Sequence, residues 1–167
     1  GETLSQYLAR VGRVSPQQAI NILFPVMKSL ERVHSYGLIH RDIAPDNIFL
    51  TKDGQVKLID FGAARIETSS YSRSLTVIVK PGYSAEEQYR SRGDQGRHSD
   101  VYSLGATLYK MITGVTPPDA LQRRAHIEKN RKDLLEPVSK YAKDITENKE
   151  TAFIMLYGHC NVSFDGT

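Results

Sequence analysis

Two carboxylates and one carboxamide stand at short, ordered spacings in this chain. Asp42 and Asn47 belong to the run HRDIAPDN at residues 40–47, and Asp60 opens the tripeptide Asp60-Phe61-Gly62. One carboxylate can receive the proton of an attacking hydroxyl, while the other carboxylate and the carboxamide oxygen can hold Mg²⁺ on nucleotide phosphates. Each piece alone occurs by chance, so it is the ordered set that indicates phosphoryl-transfer chemistry.

A predicted β-hairpin would bring Asn47 and Asp60 together. Residues 48–50 and 56–59 are short apolar runs typical of strands, and Lys52-Asp53-Gly54 between them is a strong turn signal. Because Asn47 precedes the first strand and Asp60 follows the second, both side chains are expected at the same end of the ribbon. They could then converge on one ion.

Helical patterns precede this hairpin. Residues 3–9 predict a short helix, and Ser15 followed by Pro16 and Gln18 forms a capping box that opens a longer one ending at Gly37. Its expected buried face contains Ile20, Leu23, Met27 and Leu30, followed by Val33. Pro25 inside the pattern predicts a kink rather than an end.

Beyond the hairpin, residues 63–88 show no sustained period, which is long for a plain connection and favours a functional or mobile loop. A helix is predicted from about Asp100, capped by Ser99 and stopped by Gly114. Residues 120–129 and 147–157 predict two further helices, and residues 158–167 a loop.

The composition is typical of one globular domain: 167 residues, 40% hydrophobic and 25% charged. The net charge of +3 is spread along the chain, which argues against a nucleic-acid partner. A basic group around Arg123 and Arg124 is interpreted as a solvated helix face. No apolar run is long enough to span a membrane, and the single cysteine, Cys160, favours a reducing, cytoplasmic compartment.

The runs at residues 40–47 and 60–62 resemble the protein kinase family, specifically the bacterial serine/threonine kinases of eukaryotic type. Further similarity lies in GYSAE at residues 82–86 and DVYSLG at residues 100–105. The resemblance implies a mainly α fold, a kinase-like C-terminal lobe with a short two-stranded β-hairpin carrying the catalytic and metal-binding loops. Over residues 1–167 it is expected to be a partial kinase domain, with 1–120 matching and 121–167 divergent or truncated.

The resemblance assigns the chemistry to particular residues. It makes Asp42 the base for the attacking hydroxyl, and Asn47 and Asp60 the ligands of Mg²⁺ on ATP. Phe49 falls where the family places the apolar floor beneath adenine. The expected cofactors are therefore ATP and Mg²⁺.

Other residues take structural or regulatory roles by the same resemblance. His40 would brace the turn that contains Gly62, and Asp100 would accept hydrogen bonds from the catalytic-loop backbone. Arg41 would receive a phosphate placed on the following loop. The candidate acceptors there are Thr68, Ser69, Ser70, Tyr71, Ser72, Ser74 and Thr76.

Glu86 resembles the family glutamate that forms a buried ion pair with a distant arginine. The last arginine here, Arg131, comes too early for that role, so Glu86 is expected to be unpaired, unusually exposed, or separated from its partner by truncation.

The chain departs from the family pattern at Ala44. Most serine/threonine kinases have lysine there, where it touches the transferred phosphate, and tyrosine kinases often have alanine. Pro45 follows the serine/threonine pattern, so that specificity is preferred. Loss of the ammonium should weaken transition-state stabilisation unless Arg65 or Lys80 compensates.

Three functions remain open. The first is part of a serine/threonine protein kinase, with the isolated chain inactive because the family's glycine-rich loop, strand lysine and helix glutamate are not in this sequence. The second is a pseudokinase or free-standing lobe that binds proteins. The third, disfavoured by the long segment ending in GYSAE, is a phosphotransferase of the aminoglycoside type.

The expected partners follow from the kinase interpretation. They are protein substrates and the N-terminal lobe that the resemblance expects. The apolar face around Phe49 and Ile59 is predicted to be masked, by self-association or by local rearrangement, because large exposed apolar patches rarely persist on monomers.

Overall fold

The computed structural model describes residues 1–66, 79–90 and 94–141, and this part is mainly helical with a small antiparallel sheet. The elements are β1 (Glu2–Thr3), α1 (Leu4–Val11), α2 (Pro16–Ser35), β2 (Leu38–Ile39), β3 (Ile48–Leu50), β4 (Val56–Leu58), β5 (Arg65–Ile66), α3 (Arg97–Thr113) and α4 (Ala120–Asn130). Short 3-10 turns occupy Pro45–Asn47, Phe61–Ala63, Glu86–Tyr89 and Val138–Lys140. The predicted helix at 147–157, the candidate acceptors at 68–76 and Cys160 lie outside the described residues.

The predicted capping box of α2 is confirmed. Ser15 Oγ accepts a hydrogen bond from the Gln18 backbone N–H at 3.2 Å, and Gln18 Oε1 accepts one from the Ser15 N–H at 3.0 Å. These bonds satisfy donors that the first turn leaves free. The helix continues through Pro25 to Ser35, and Gly37 follows with φ +69, the left-handed conformation that glycine tolerates.

The buried face of α2 is only partly the predicted one: Leu23 and Leu30 are buried as expected, whereas Ile20 and Met27 are not. Ala19, Leu23, Val26 and Leu30 are the buried residues of the helix. Ile20 and Met27 are 53% and 46% exposed. Ala19 and Val26 lie one residue before Ile20 and Met27, and periodicity alone could not decide which member of each neighbouring pair meets the core.

The predicted hairpin is present but belongs to a larger sheet. Strands β3 and β4 pair antiparallel with Ile48 opposite Leu58, and β1 adds to the outer edge of β3 to give the order β1-β3-β4. A second ribbon pairs β2 with β5. The sequence did not reveal β1, β2 and β5, because strands of two residues are too short to display a period of two.

Helix α3 begins three residues before the predicted start. Gly96 is its N-cap, and Ser99 lies inside the first turn, where its Oγ accepts from the Gly96 N–H at 3.3 Å. The predicted stop at Gly114 is confirmed by its φ of +75. Ser99 was predicted to be the N-cap. It instead lies in the first turn, and its hydroxyl still accepts a hydrogen bond at the N-terminus of the helix.

Helix α4 matches its predicted span, but one of its arginines does not lie on a solvated face. Arg123 is 6% exposed, and its guanidinium donates to Asp133 Oδ1 at 3.0 Å and Oδ2 at 2.5 Å. A bidentate carboxylate partner is what permits a buried guanidinium. Asp133 lies beyond the helix, so helical spacing could not show this pairing.

The core positions the segment at residues 40–47. Helix α2 packs against α3 and β4, while α1 packs against the Pro45–Asn47 turn. The run at residues 40–47 is therefore held between helices and the sheet. In the part of the chain that the structure describes, no helix is long and apolar enough to cross a membrane.

Candidate active site

Asn47 fixes the carboxylate of Asp42. Its Nδ2 donates at 2.7 Å to the Asp42 backbone carbonyl and at 2.7 Å to Asp42 Oδ2. Since both partners are acceptors, the orientation of the carboxamide follows from the hydrogen bonds, and Oδ1 is left for another ligand. The Asp42 side chain keeps 19% of its surface exposed, so a substrate hydroxyl can reach it.

Asp60 lies in a strained turn directly after the hairpin. Its backbone is left-handed, with φ +61 and ψ +77, and its Oδ1 accepts from the Gly62 N–H at 3.1 Å. A Cβ at Gly62 would lie 3.0 Å from that oxygen. Glycine therefore allows the carboxylate and the backbone to approach each other, while the Asp60 side chain stays exposed.

The hairpin places Asn47 and Asp60 at one end of the sheet. The backbone N–H of Ile59 donates to the carbonyl of Asn47 at 2.9 Å, so the chain on either side of Asp60 is tied to Asn47. A carboxamide oxygen and a carboxylate are hard oxygen donors, the type that Mg²⁺ prefers. In the described ranges no three His, Cys, Asp or Glu residues gather as a metal cluster.

His40 is a buried residue that supports the turn at Phe61–Ala63. It is 0% exposed, and its ring meets that of Phe61 edge-on with centroids 4.6 Å apart. Its Nδ1 accepts from the Asp42 backbone N–H at 3.3 Å, so the proton of the neutral ring belongs on Nε2. Burial lowers the pKa of His40, and the nearby Asp100 and Asp42 carboxylates only partly oppose that effect.

Stability is expected to fall as the pH drops below about 6.5, the ordinary histidine pKa. Since the folded-state pKa of His40 is lower than that value, the unfolded chain binds the proton first, and stability is lost between the two pKa values. His40→Phe keeps an aromatic ring against Phe61 and removes this titration. Urea unfolding between about pH 7 and 5 should therefore show a shallower slope for the variant, by no more than about 1.4 kcal/mol per pH unit. Parallel slopes would contradict the assignment.

Asp100 connects α3 to the catalytic loop. This carboxylate is 0% exposed and accepts from the backbone N–H of His40 at 2.8 Å and of Arg41 at 2.7 Å. His34 Nε2 lies 2.7 Å from the same carboxylate. Sequence reasoning missed His34, because a histidine in the last turn of a helix carries no signal of a contact 66 residues away.

Arg41 is held in a left-handed conformation, with φ +71. Its Nε donates to Gln95 Oε1 at 2.5 Å, and its carbonyl accepts from Gln88 Nε2 at 2.7 Å. Gln88 is 0% exposed. Neither glutamine was predicted, since no motif marks them, and the loop residues whose phosphate Arg41 was expected to receive lie outside the described ranges.

The expectation that Glu86 is unpaired is wrong. Arg124 Nη1 on α4 donates to Glu86 Oε2 at 3.1 Å, and Arg90 Nη2 donates to Oε1 at 2.6 Å. The Glu86 side chain is 24% exposed, so this ion pair is only partly buried, and separation from the family's partner by truncation stays a prediction. In the family the partner arginine lies far downstream, so the sequence suggested no partner for Glu86. Helix α4 packs close enough to Glu86 for Arg124 to be one.

Phe49 is half-buried rather than exposed. Strand β1 pairs beside it, with Thr3 opposite Phe49, and a Cβ at Gly1 would lie 2.6 Å from the Phe49 ring. The start of the chain thus covers much of the ring, whereas Ile59 remains 36% exposed. Self-association through this face stays a prediction.

Comparison with known proteins agrees with this geometry. Residues 1–157 match the family described as protein kinase domain. The chain is 38% identical over 118 residues to the serine/threonine-protein kinase PknL of Mycobacterium tuberculosis, covering 70% of this chain and 29% of that protein. It is 38% identical over 120 residues to the probable kinase PknB of Corynebacterium glutamicum, covering 70% and 18%.

A probable serine/threonine-protein kinase of Corynebacterium efficiens is 35% identical over 149 residues, covering 87% of this chain and 22% of that protein. The chain thus spans less than a third of each of these relatives. The family match and the sequence identities indicate the same family. The arrangement of Asp42, Asn47 and Asp60 agrees with them. The chain belongs to the protein kinase family.

Proposed function

We propose that this chain is the helical C-terminal lobe of a bacterial serine/threonine kinase that transfers the γ-phosphate of ATP to protein hydroxyls. The observation that carries the proposal is the Asp42 carboxylate, which Asn47 holds at 2.7 Å beside the end of the hairpin that bears Asp60. A proton acceptor and two oxygen ligands for a cation are thus gathered in one place.

In this reaction Asp42 receives the proton of the substrate hydroxyl. The hydroxyl oxygen forms a bond to the γ-phosphorus as the bond between that phosphorus and the ADP oxygen breaks, with its electron pair leaving on ADP. The hydrogen bond from Asn47 to Asp42 Oδ2 keeps the carboxylate oriented, so that Oδ1 faces the open side of the site.

Asn47 and Asp60 would hold Mg²⁺, which neutralises charge on the nucleotide phosphates when it is bound. The Asn47 carboxamide offers its oxygen because its nitrogen is engaged by Asp42. Asp60 offers the carboxylate oxygen that does not accept from Gly62. Phe49, half-buried at the sheet, would support the adenine ring.

A protein hydroxyl is the preferred acceptor. The named relatives are serine/threonine kinases, and Pro45 follows the pattern of that class. The segment at 80–90 packs beside the catalytic loop through the bond from Gln88 to the Arg41 carbonyl. A segment of this length beside Asp42 offers a longer contact surface, which suits an extended peptide better than a small sugar.

The test is an assay of the full-length gene product with radiolabelled ATP and Mg²⁺. Phosphate should pass to seryl or threonyl peptides and proteins, and not to tyrosyl peptides or aminoglycosides. Transfer to aminoglycosides alone would overturn the protein-kinase proposal. ATP binding without any transfer would favour the binding-module alternative.

The 167-residue chain by itself is expected to be inactive in the same assay. Its sequence contains no glycine-rich phosphate loop and no strand lysine of the kinase type, so about half of the groups that cradle the nucleotide are not supplied by it. Turnover by the purified chain would contradict this expectation.

A further inference from the structure

Lys80 lies against the carboxylate that the proposed function makes the proton acceptor. Its Nζ is 3.2 Å from Asp42 Oδ1 and 3.6 Å from Asp46 Oδ2. The Lys80 side chain keeps 29% of its surface exposed. The ammonium therefore lies at the open side of the site, where a bound phosphate can approach it.

The backbone of Lys80 is fixed by the turn that it begins. Its carbonyl accepts from the N–H groups of Tyr83 and Ser84, both at 2.9 Å, and its own N–H donates to Ser84 Oγ at 2.8 Å. Pro81 and Gly82 occupy the central positions of this turn, and Gly82 has φ +84, as a type II turn requires. Lys80 thus extends from a backbone that is fixed by three hydrogen bonds.

The same turn is anchored to the helical body. A Cβ at Gly82 would lie 2.6 Å from the carbonyl oxygen of Pro117, in the segment between α3 and α4. This close approach is possible only because residue 82 is glycine. It sets the position of the turn, and hence of the Lys80 backbone, relative to the catalytic loop.

The segment from Asp42 to Asn47 cannot itself provide a cation. Residues 42–47 contain no basic side chain, and they carry the carboxylates of Asp42 and Asp46. Ala44 is 0% exposed and packs in a cluster with Tyr83 and Ala85. Apart from the Mg²⁺ that Asn47 and Asp60 would hold, a side-chain cation that offsets the repulsion between these carboxylates and a triphosphate has to come from outside residues 42–47.

We propose that Lys80 is a catalytic residue that contacts the phosphoryl group being transferred, an inference that rests on the proposed function. Without nucleotide, its ammonium pairs with Asp42. In the reacting complex the same ammonium stabilises the phosphoryl oxygens while the bond to ADP breaks and the bond to the hydroxyl oxygen forms. The hydroxyl proton goes to Asp42, and Lys80 neither gains nor loses a proton.

The experiment compares Lys80→Ala and Lys80→Arg in the full-length protein, with kcat and KM measured for ATP and for a seryl peptide. Lys80→Ala should lower kcat about 100-fold, the usual effect of removing one group that stabilises transition-state charge. Lys80→Arg should retain most of the activity, because the charge remains. Added ethylammonium should restore part of the kcat of Lys80→Ala, whereas sodium at equal ionic strength should not.

The matched control is Lys57→Ala, which removes an exposed lysine from β4 and should leave kcat within about twofold. If the wild-type protein is active and Lys80→Ala stays within about threefold of it, the role of Lys80 is refuted while the proposed function stands. A loss that neither arginine nor ethylammonium repairs, accompanied by a lower melting temperature, would make Lys80 structural. An inactive wild-type protein would instead overturn the proposed function.

Discussion

Asp42→Asn is expected to lower kcat for peptide phosphorylation by about 10²- to 10⁴-fold, the range that a positioned general base supplies. The carboxamide keeps the shape of the side chain and can still accept from Asn47 Nδ2, which lies 2.7 Å from Oδ2 in the wild-type protein. It cannot take up the hydroxyl proton. KM for ATP should change little, because the proposed role of Asp42 is to take the proton of the acceptor hydroxyl and not to bind ATP.

The measurement is steady-state phosphorylation by the full-length protein with saturating ATP and Mg²⁺. Asp53→Asn is the matched control, since it makes the same exchange of atoms in the exposed β3–β4 turn. It should leave kcat within about twofold. An Asp42→Asn protein with wild-type kcat would show that this carboxylate is not the proton acceptor.

Asp100→Asn is expected to lower the free energy of unfolding by roughly 1–3 kcal/mol, the cost of leaving one buried polar group without its partner. One carboxylate now serves the N–H groups of His40 and Arg41 through separate oxygens. A carboxamide has only one oxygen, so its NH₂ would face one of those backbone donors. Activity should fall as well, since the displaced backbone carries Asp42.

Urea unfolding and hydrogen exchange at the His40 and Arg41 amides measure this effect. Both amides should exchange faster in Asp100→Asn, while amides of α4 should be unchanged if the effect is local. Asp94→Asn is the control, because Asp94 is exposed and lies just before the same helix. Unaltered exchange at His40 and Arg41 would show that the carboxylate does not hold the loop.

Structural elements that are marked by capping residues and turn residues could be predicted from the sequence. The capping box of Ser15 and Gln18, the turn at Gly54 and the stop at Gly114 each act within a few residues, so the chain order reveals them. The buried face of α2 could be predicted only in part, because Ala19 and Ile20 are adjacent apolar residues and only the packed neighbours decide which of them is buried. Strands of two residues likewise leave no pattern.

The candidate site divides in the same way. Asp42, Asn47 and Asp60 were identified because they lie close in sequence and belong to recognisable motifs. The supports from His34, Gln88 and the Glu86 pairing with Arg124 connect positions far apart in the chain. Long-range contacts of this kind depend on how helices pack, which no short spacing encodes.

The segment from Lys80 to Arg90 is attached to its surroundings by bonds of two kinds. Gln88 is uncharged and donates to the Arg41 carbonyl in a buried place, whereas Glu86 pairs with the exposed guanidinium of Arg124 on α4. Dissolved ions screen exposed pairs but hardly affect a buried neutral amide. High salt should therefore weaken the ion pair between Glu86 and Arg124. The hydrogen bond from Gln88 to the Arg41 carbonyl should be unchanged.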